Sequence, residues 1–172
     1  METLEILKNR HSVRKYKPDP VEDEKLEKIL AAAHYAPTAA NLQPVRLIVV
    51  KTPEGWEKLN KGSRLYGAPV AVIVCASKNT AWKRKYDDMN TYHIDASILT
   101  DHMMIEATSL GLGTLWACWF NPEVIRTEFA IPEDYEPINI LAIGYADDEA
   151  PAADRHETQR IPLSELVHYE KF

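Results

Sequence analysis

The sequence predicts one domain that mixes helices with a buried sheet, and three observations predict it. The chain has 172 residues, 45% of them apolar, which suffices for one substantial core and argues against a second full domain. Leu26, Ile29, Leu30 and Ala33 recur at the i, i+3, i+4, i+7 spacing of a helix. Pro69 to Ala76 is apolar without interruption, the pattern of a strand covered on both faces.

The remaining elements follow in order. Leu4, Ile6 and Leu7 give residues 1–9 a short helix that delivers Arg10 to the surface. Pro18 and Pro20 interrupt the path, and Glu22, Asp23 and Glu24 fall where a helix start favours negative charge. That helix closes at Pro37, and 37–44 is a loop. Val45 to Val50 is β-branched and reads as a strand, and 56–65 as a helix. Thr80 to Tyr92 mixes charged side chains with Trp82, Tyr86 and Tyr92 and reads as a mobile, exposed segment. Ile94 to Leu110 is a central helix, apolar on more than one face, ending at Gly111 and Gly113. After the stretch 114–120, Asn121 and Pro122 suit the cap and first residue of a short helix through Phe129. Ile138 to Tyr145 is a third buried strand, and 150–153 reads as a linker. Residues 161–172 suit either an added strand or an arm reaching a neighbour.

A formal net charge of -6 argues against a general nucleic-acid binder. Yet Lys8, Arg10, Arg14, Lys15 and Lys17 crowd ten residues, as a local anion site would. Cys75 and Cys118 lack the spacing of a disulfide framework or zinc site, which points to a reducing cytosol. Glu2 and Glu5 break the order of a secretion signal. The longest apolar run, Ala68 to Ala76, is far short of the roughly twenty residues of a membrane span.

Two segments carry the chemistry. Arg10-His11-Ser12-Val13-Arg14 sets two guanidiniums and a hydroxyl at alternate positions, which suits a phosphate. Residues 36–44 offer small side chains and amides, which suit a flat heterocycle. Together they suggest a phosphorylated cofactor. His93, Asp95 and His102 invite a metal reading, but their spacing gives no diagnostic ligand set, and Asp95 and His102 read better as hydrogen-bonded groups of a packed helix. Cys118 reads as a small buried residue rather than a redox group. Trp116, Trp119 and Phe120 suit either a pocket wall or a core cluster. Trp82, Tyr86 and Tyr92 lie among Lys83, Arg84 and Lys85, but Asp87 and Asp88 oppose nucleic-acid binding, and a lid is the better reading.

In this order and at these separations, Arg10, Ser12 and Arg14, the loop Pro37 to Pro44, the turn Gly111 to Thr114, the pair Gly144 and Tyr145, and Arg160 before Pro162 and Leu163 form one set. The chain resembles the FMN-dependent nitroreductase family over nearly its whole length. That resemblance implies an α+β domain, 1–172, with an antiparallel-dominated sheet flanked by helices, forming an intertwined homodimer with flavin mononucleotide (FMN) at the subunit interface.

By the same resemblance Arg10, Ser12, Arg14 and Arg160 hold the phosphate and ribityl chain, with His11 adding contacts. Pro37, Thr38, Ala39 and Asn41 meet the ring and ribityl from the partner subunit, and Gln43 orders their loop. Leu115, Trp116 and Ala117, with Cys118, pass backbone groups along the flavin edge near N5. Thr38 and Ala39 stand where the family often carries Ser, and Ile161 where a Lys often follows the terminal Arg, so one phosphate contact is missing. The implied reaction passes a hydride from NADH or NADPH to flavin N5 and then to a small-molecule acceptor such as a nitroaromatic or quinone. No catalytic side chain, metal, nucleic acid or membrane is called for. The alternatives are a specialised member doing reductive dehalogenation or flavin cleavage, and a non-catalytic flavin-binding sensor.

Overall fold

The computed structural model describes residues 2–172, so Met1 of the expected first helix lies outside it. Helix α1 (Thr3–Asn9) and helix α2 (Asp23–Tyr35) precede strand β1 (Val45–Val50), helix α3 (Pro53–Asn60) and strand β2 (Val70–Ser77). Helix α4 (Tyr92–Ser109), strand β3 (Gly113–Ala117), helix α5 (Pro122–Glu128) and strand β4 (Tyr135–Gly144) complete the body. Two single turns, α6 (Arg155–Thr158) and α7 (Leu163–Leu166), follow.

The four strands form one sheet of order β1-β2-β4-β3, antiparallel throughout, so the α+β expectation holds. Strand β2 lies inside the sheet and alternates between two cores. Val70, Val72, Val74 and Ala76 pack under α2 and α4 with Ile29, Met103 and Leu141. Ala71, Ile73 and Cys75 pack on the opposite face with Val13, Leu59, Ile125 and Ile140. Both faces are covered, so the strand shows no polar alternation. Strand β4 begins at Tyr135, three residues before the expected start, because Pro137 is accommodated at an irregularity where Val74 pairs with Asn139 and Cys75 with Pro137.

Caps explain the helix ends. Asn121 Oδ1 accepts from the amides of Glu123 (3.1 Å) and Val124 (3.2 Å), as the sequence predicts. Helix α3 starts at Pro53, ahead of the expected 56, because Thr52 Oγ1 caps it through the Gly55 amide. Helix α4 closes on Gly111 at φ 78°, with Leu112 N–H donating to Ala107 and Gly111 N–H to Thr108, the paired bonds of a Schellman turn. Residues 161–172 form no strand. They carry one helical turn and are exposed throughout. The segment 80–91 is largely exposed, as expected, but also cross-linked. Arg84 binds Asp87, Lys83 bridges Asn90, and Thr91 N–H donates to Trp82. Among the described residues no helix is long and apolar enough to cross a membrane.

Candidate cofactor site

The Arg10–Arg14 segment is stitched along the sheet rather than left as a tail. Val13 N–H donates to Thr114 O at 2.9 Å, beginning a short parallel pairing of Ser12 with Thr114 beside β3. Lys17 N–H donates to Tyr145 O and Asp147 N–H to Lys15 O, both at 2.9 Å. Val13 points inward and is fully buried. Its neighbours in sequence therefore face outward.

Arg10, His11, Ser12, Arg14 and Arg160 line one cavity of about 340 Å³, so the structure gathers all five predicted phosphate residues. It adds Arg155, which sequence reasoning missed. Arg155 Nη2 donates to the carbonyls of Lys8 and Arg10, and His156 Nε2 donates to Lys8 O at 3.0 Å. Only the close return of Arg155 and His156 onto the end of α1 reveals this clamp, and nothing in the local sequence signals it. Partial burial, and then the charges of Arg160 and Arg155, push the Arg10 pKa down, while Asp101 opposes the shift. Like charges held this close suit a dianion, whose binding would relieve their repulsion. Asp148 and Glu149 share the wall. Asp148 Oδ2 accepts from Arg14 N–H at 2.9 Å, while Oδ1 stands 3.6 Å from His11 Nε2, and both of those buried atoms lack a hydrogen-bond partner.

Pro37, Thr38, Ala39 and Asn41 line none of this cavity. Their loop is a sharp turn with Ala40, Asn41 and Gln43 at φ of 50°, 55° and 51°. Left-handed backbone at non-glycine residues costs about 1–3 kcal/mol each and is common where a loop serves a ligand. Gln43 orders the loop, as expected, with its N–H on Thr38 Oγ1 and its side-chain amide on Asn41 O. Asp95 Oδ1 accepts from Ala39 N–H at 2.9 Å, and His102 Nδ1 lies 3.0 Å from Ile98 O. Both are hydrogen-bonded groups of a packed helix, and no cluster able to hold a metal occurs among the described residues.

Strand β3 is the last in the sheet, so Leu115, Trp116 and Ala117 present their outer backbone to no further strand. Leu115 is buried, while Trp116 packs on the core and lines a groove with Ile94, Ile98 and Asp101 of α4. Trp119 is 92% exposed. Cys118 is exposed, which corrects the expectation of a buried residue: it follows the end of β3, beyond the strand's pairing with β4.

An antiparallel sheet thus carries an arginine-lined cavity beside its edge strand β3. The nitroreductase family model matches residues 7–63 and 56–145, and the chain belongs to that family. A nitroreductase family protein from Clostridium difficile 630 superposes with a TM-score of 0.96 at 49% identity, covering 100% of both chains. An FMN-dependent nitroreductase from Clostridium difficile R20291 is 33% identical with a TM-score of 0.81, over 98% of this chain and 99% of that one. A Methanothermobacter thermautotrophicus protein assigned as NADH dehydrogenase/NAD(P)H nitroreductase is 33% identical over 95% of this chain and 87% of its own length.

Proposed function

We propose that this protein is an FMN-dependent oxidoreductase that takes hydride from NADH or NADPH and delivers it to a planar acceptor such as a nitroaromatic or quinone. The observation that carries the reading is the convergence of Arg10, Arg14, Arg155 and Arg160 on one cavity beside the open edge of β3. Bound FMN supplies reversible hydride transfer. The chain's own residues bind and orient it. Arg10, Arg14 and Arg160 would neutralise its phosphate, Ser12 and His11 would add polar contacts, and the backbone of 115–117 would offer hydrogen-bonding groups to its ring. No side chain is assigned a proton or a nucleophilic role.

Pro37, Thr38, Ala39 and Asn41 serve the flavin of a partner subunit, which accounts for their separation from the phosphate cavity. The homodimer is also supported by exposed apolar side chains on α1, α4 and the tail: Leu4, Leu7, Ile94, Leu163, Leu166 and Phe172. The tail acts as the arm that crosses to that partner. Two free cysteines suit a reducing cytosol.

The test is an anaerobic visible spectrum of the flavin-loaded protein before and after NADH or NADPH. Bleaching followed by recovery on adding a nitroaromatic or quinone is expected. Bound flavin that resists both nicotinamides would make the protein a flavin-binding sensor instead.

A further inference from the structure

One buried carboxylate has no part in binding the phosphate. Asp95 stands in the first turn of α4 and is 1% exposed. Its two oxygens serve two different segments. Oδ1 accepts from Ala39 N–H at 2.9 Å, at the start of the left-handed turn, and Oδ2 accepts from Thr91 Oγ1 at 3.0 Å. Thr91 N–H in turn donates to Trp82 O at 3.0 Å, closing the exposed 82–91 segment. Burying a carboxylate is costly unless donors and a helix start offset it, and Asp95 has both.

We propose that Asp95 is a positioning residue: one carboxylate locks the Thr38–Gln43 turn and the Trp82–Thr91 segment to α4 in a fixed relative geometry. The inference rests on the flavin reading for its catalytic consequence, since in that reading the turn would meet the cofactor and the 82–91 segment would be the lid that shapes acceptor access. The geometric claim stands apart from that reading. The turn needs such a tie because Ala40 and Gln43 adopt a backbone that neither residue favours. Without it, the loop would relax toward ordinary φ values and carry Asn41 with it.

The chemistry makes a sharp distinction between two substitutions. Asp95→Ala strands the Ala39 amide and the Thr91 hydroxyl. Asp95→Asn keeps the acceptor for Ala39, and its amide can donate to Thr91 Oγ1 while that hydroxyl turns to Trp82 O, already 3.3 Å away. Asn is therefore expected to rescue what Ala loses.

Hydrogen exchange of the intact protein, with and without FMN, should show Asp95→Ala lowering amide protection roughly tenfold in both 38–43 and 82–91, the scale of one hydrogen bond to a charged group. The acceptor KM should rise by a similar factor with a smaller change in the rate of flavin reduction, and Asp95→Asn should restore both. Thr100→Val is the control: Thr100 is equally buried on α4 but bonds Ala96 O and Asn139, so it should lower the melting temperature without moving either readout. Where Asp95→Ala does not fold, Thr91→Val must still loosen 82–91, while 38–43, which keeps the Ala39 bond to Asp95, changes less. Unchanged protection in the turn with Asp95→Ala, unchanged protection of 82–91 with Thr91→Val, or the Asp95→Ala pattern from Thr100→Val, overturns the proposal. A wild type that resists NADH and NADPH would overturn the flavin reading alone, because the exchange comparison needs no turnover.

Discussion

Val13 and Gly113 approach so closely that a Cβ on Gly113 would stand 2.5 Å from Val13 Cγ2. This contact seats the arginine segment on the sheet, next to the bond between Val13 N–H and Thr114 O. Gly113→Ala must push the segment away or distort β3. It is expected to destabilise the protein by about 1–3 kcal/mol, the cost of overpacking, and to weaken FMN binding. Urea unfolding and a flavin fluorescence titration check the two effects separately.

The guanidiniums should act individually and electrostatically. Arg14→Ala or Arg160→Ala removes one charge-assisted contact, worth about 1.5–3 kcal/mol, and should raise the FMN dissociation constant roughly ten- to hundredfold. Thermal melts of the apo forms should change little. Arg155→Met belongs to a different kind, because its side chain holds the Lys8 and Arg10 carbonyls. It should lower apo stability as well as affinity.

Acid should loosen the same segment. The Lys15 ammonium, 2.6 Å from Asp147, holds that carboxyl below its ordinary range, and Asp147 in turn raises Lys15. A carboxylate with a depressed folded pKa contributes stability that is complete above its unfolded value, about 4, and lost as pH falls through the folded value. Lys15 has the opposite sign, its contribution being lost only as pH rises through its folded pKa. Asp147→Asn should therefore cost a little stability at neutral pH, and the gap from wild type should close in strong acid. Urea midpoints across that range measure it, and a gap independent of pH would contradict the pairing.

The two thiols should behave differently. Burial pushes Cys75 up to about 11, while Cys118 is exposed. Cys75 is expected to resist a thiol reagent at mildly alkaline pH until the chain unfolds, and counting labelled sites by mass spectrometry tests this.

Much of this architecture is legible in the sequence where one local signal suffices. The β-branched run fixes β1 at 45–50, and the Asn121-Pro122 cap fixes the start of α5. Strand β3 escapes because five residues beginning with glycine carry too weak a pattern, and only pairing with β4 makes them a strand. The arginines of 10–14 and Arg160 are readable as an ordered set. Arg155 is not, since its partners lie 145 and more positions away. The left-handed turn at Ala40 is equally silent, because no glycine marks it and a carboxylate 56 residues beyond Ala39 helps to hold it.

The most direct measurement of the central claim compares FMN with riboflavin, which differ by the phosphate alone, in wild type and in Arg160→Ala. If the arginine pocket holds the phosphate, FMN binds at least tenfold tighter than riboflavin, as one or more charge-assisted contacts require, and the substitution shrinks that gap while leaving riboflavin binding unchanged. Equal affinity for the two flavins, or a gap untouched by Arg160→Ala, would contradict it.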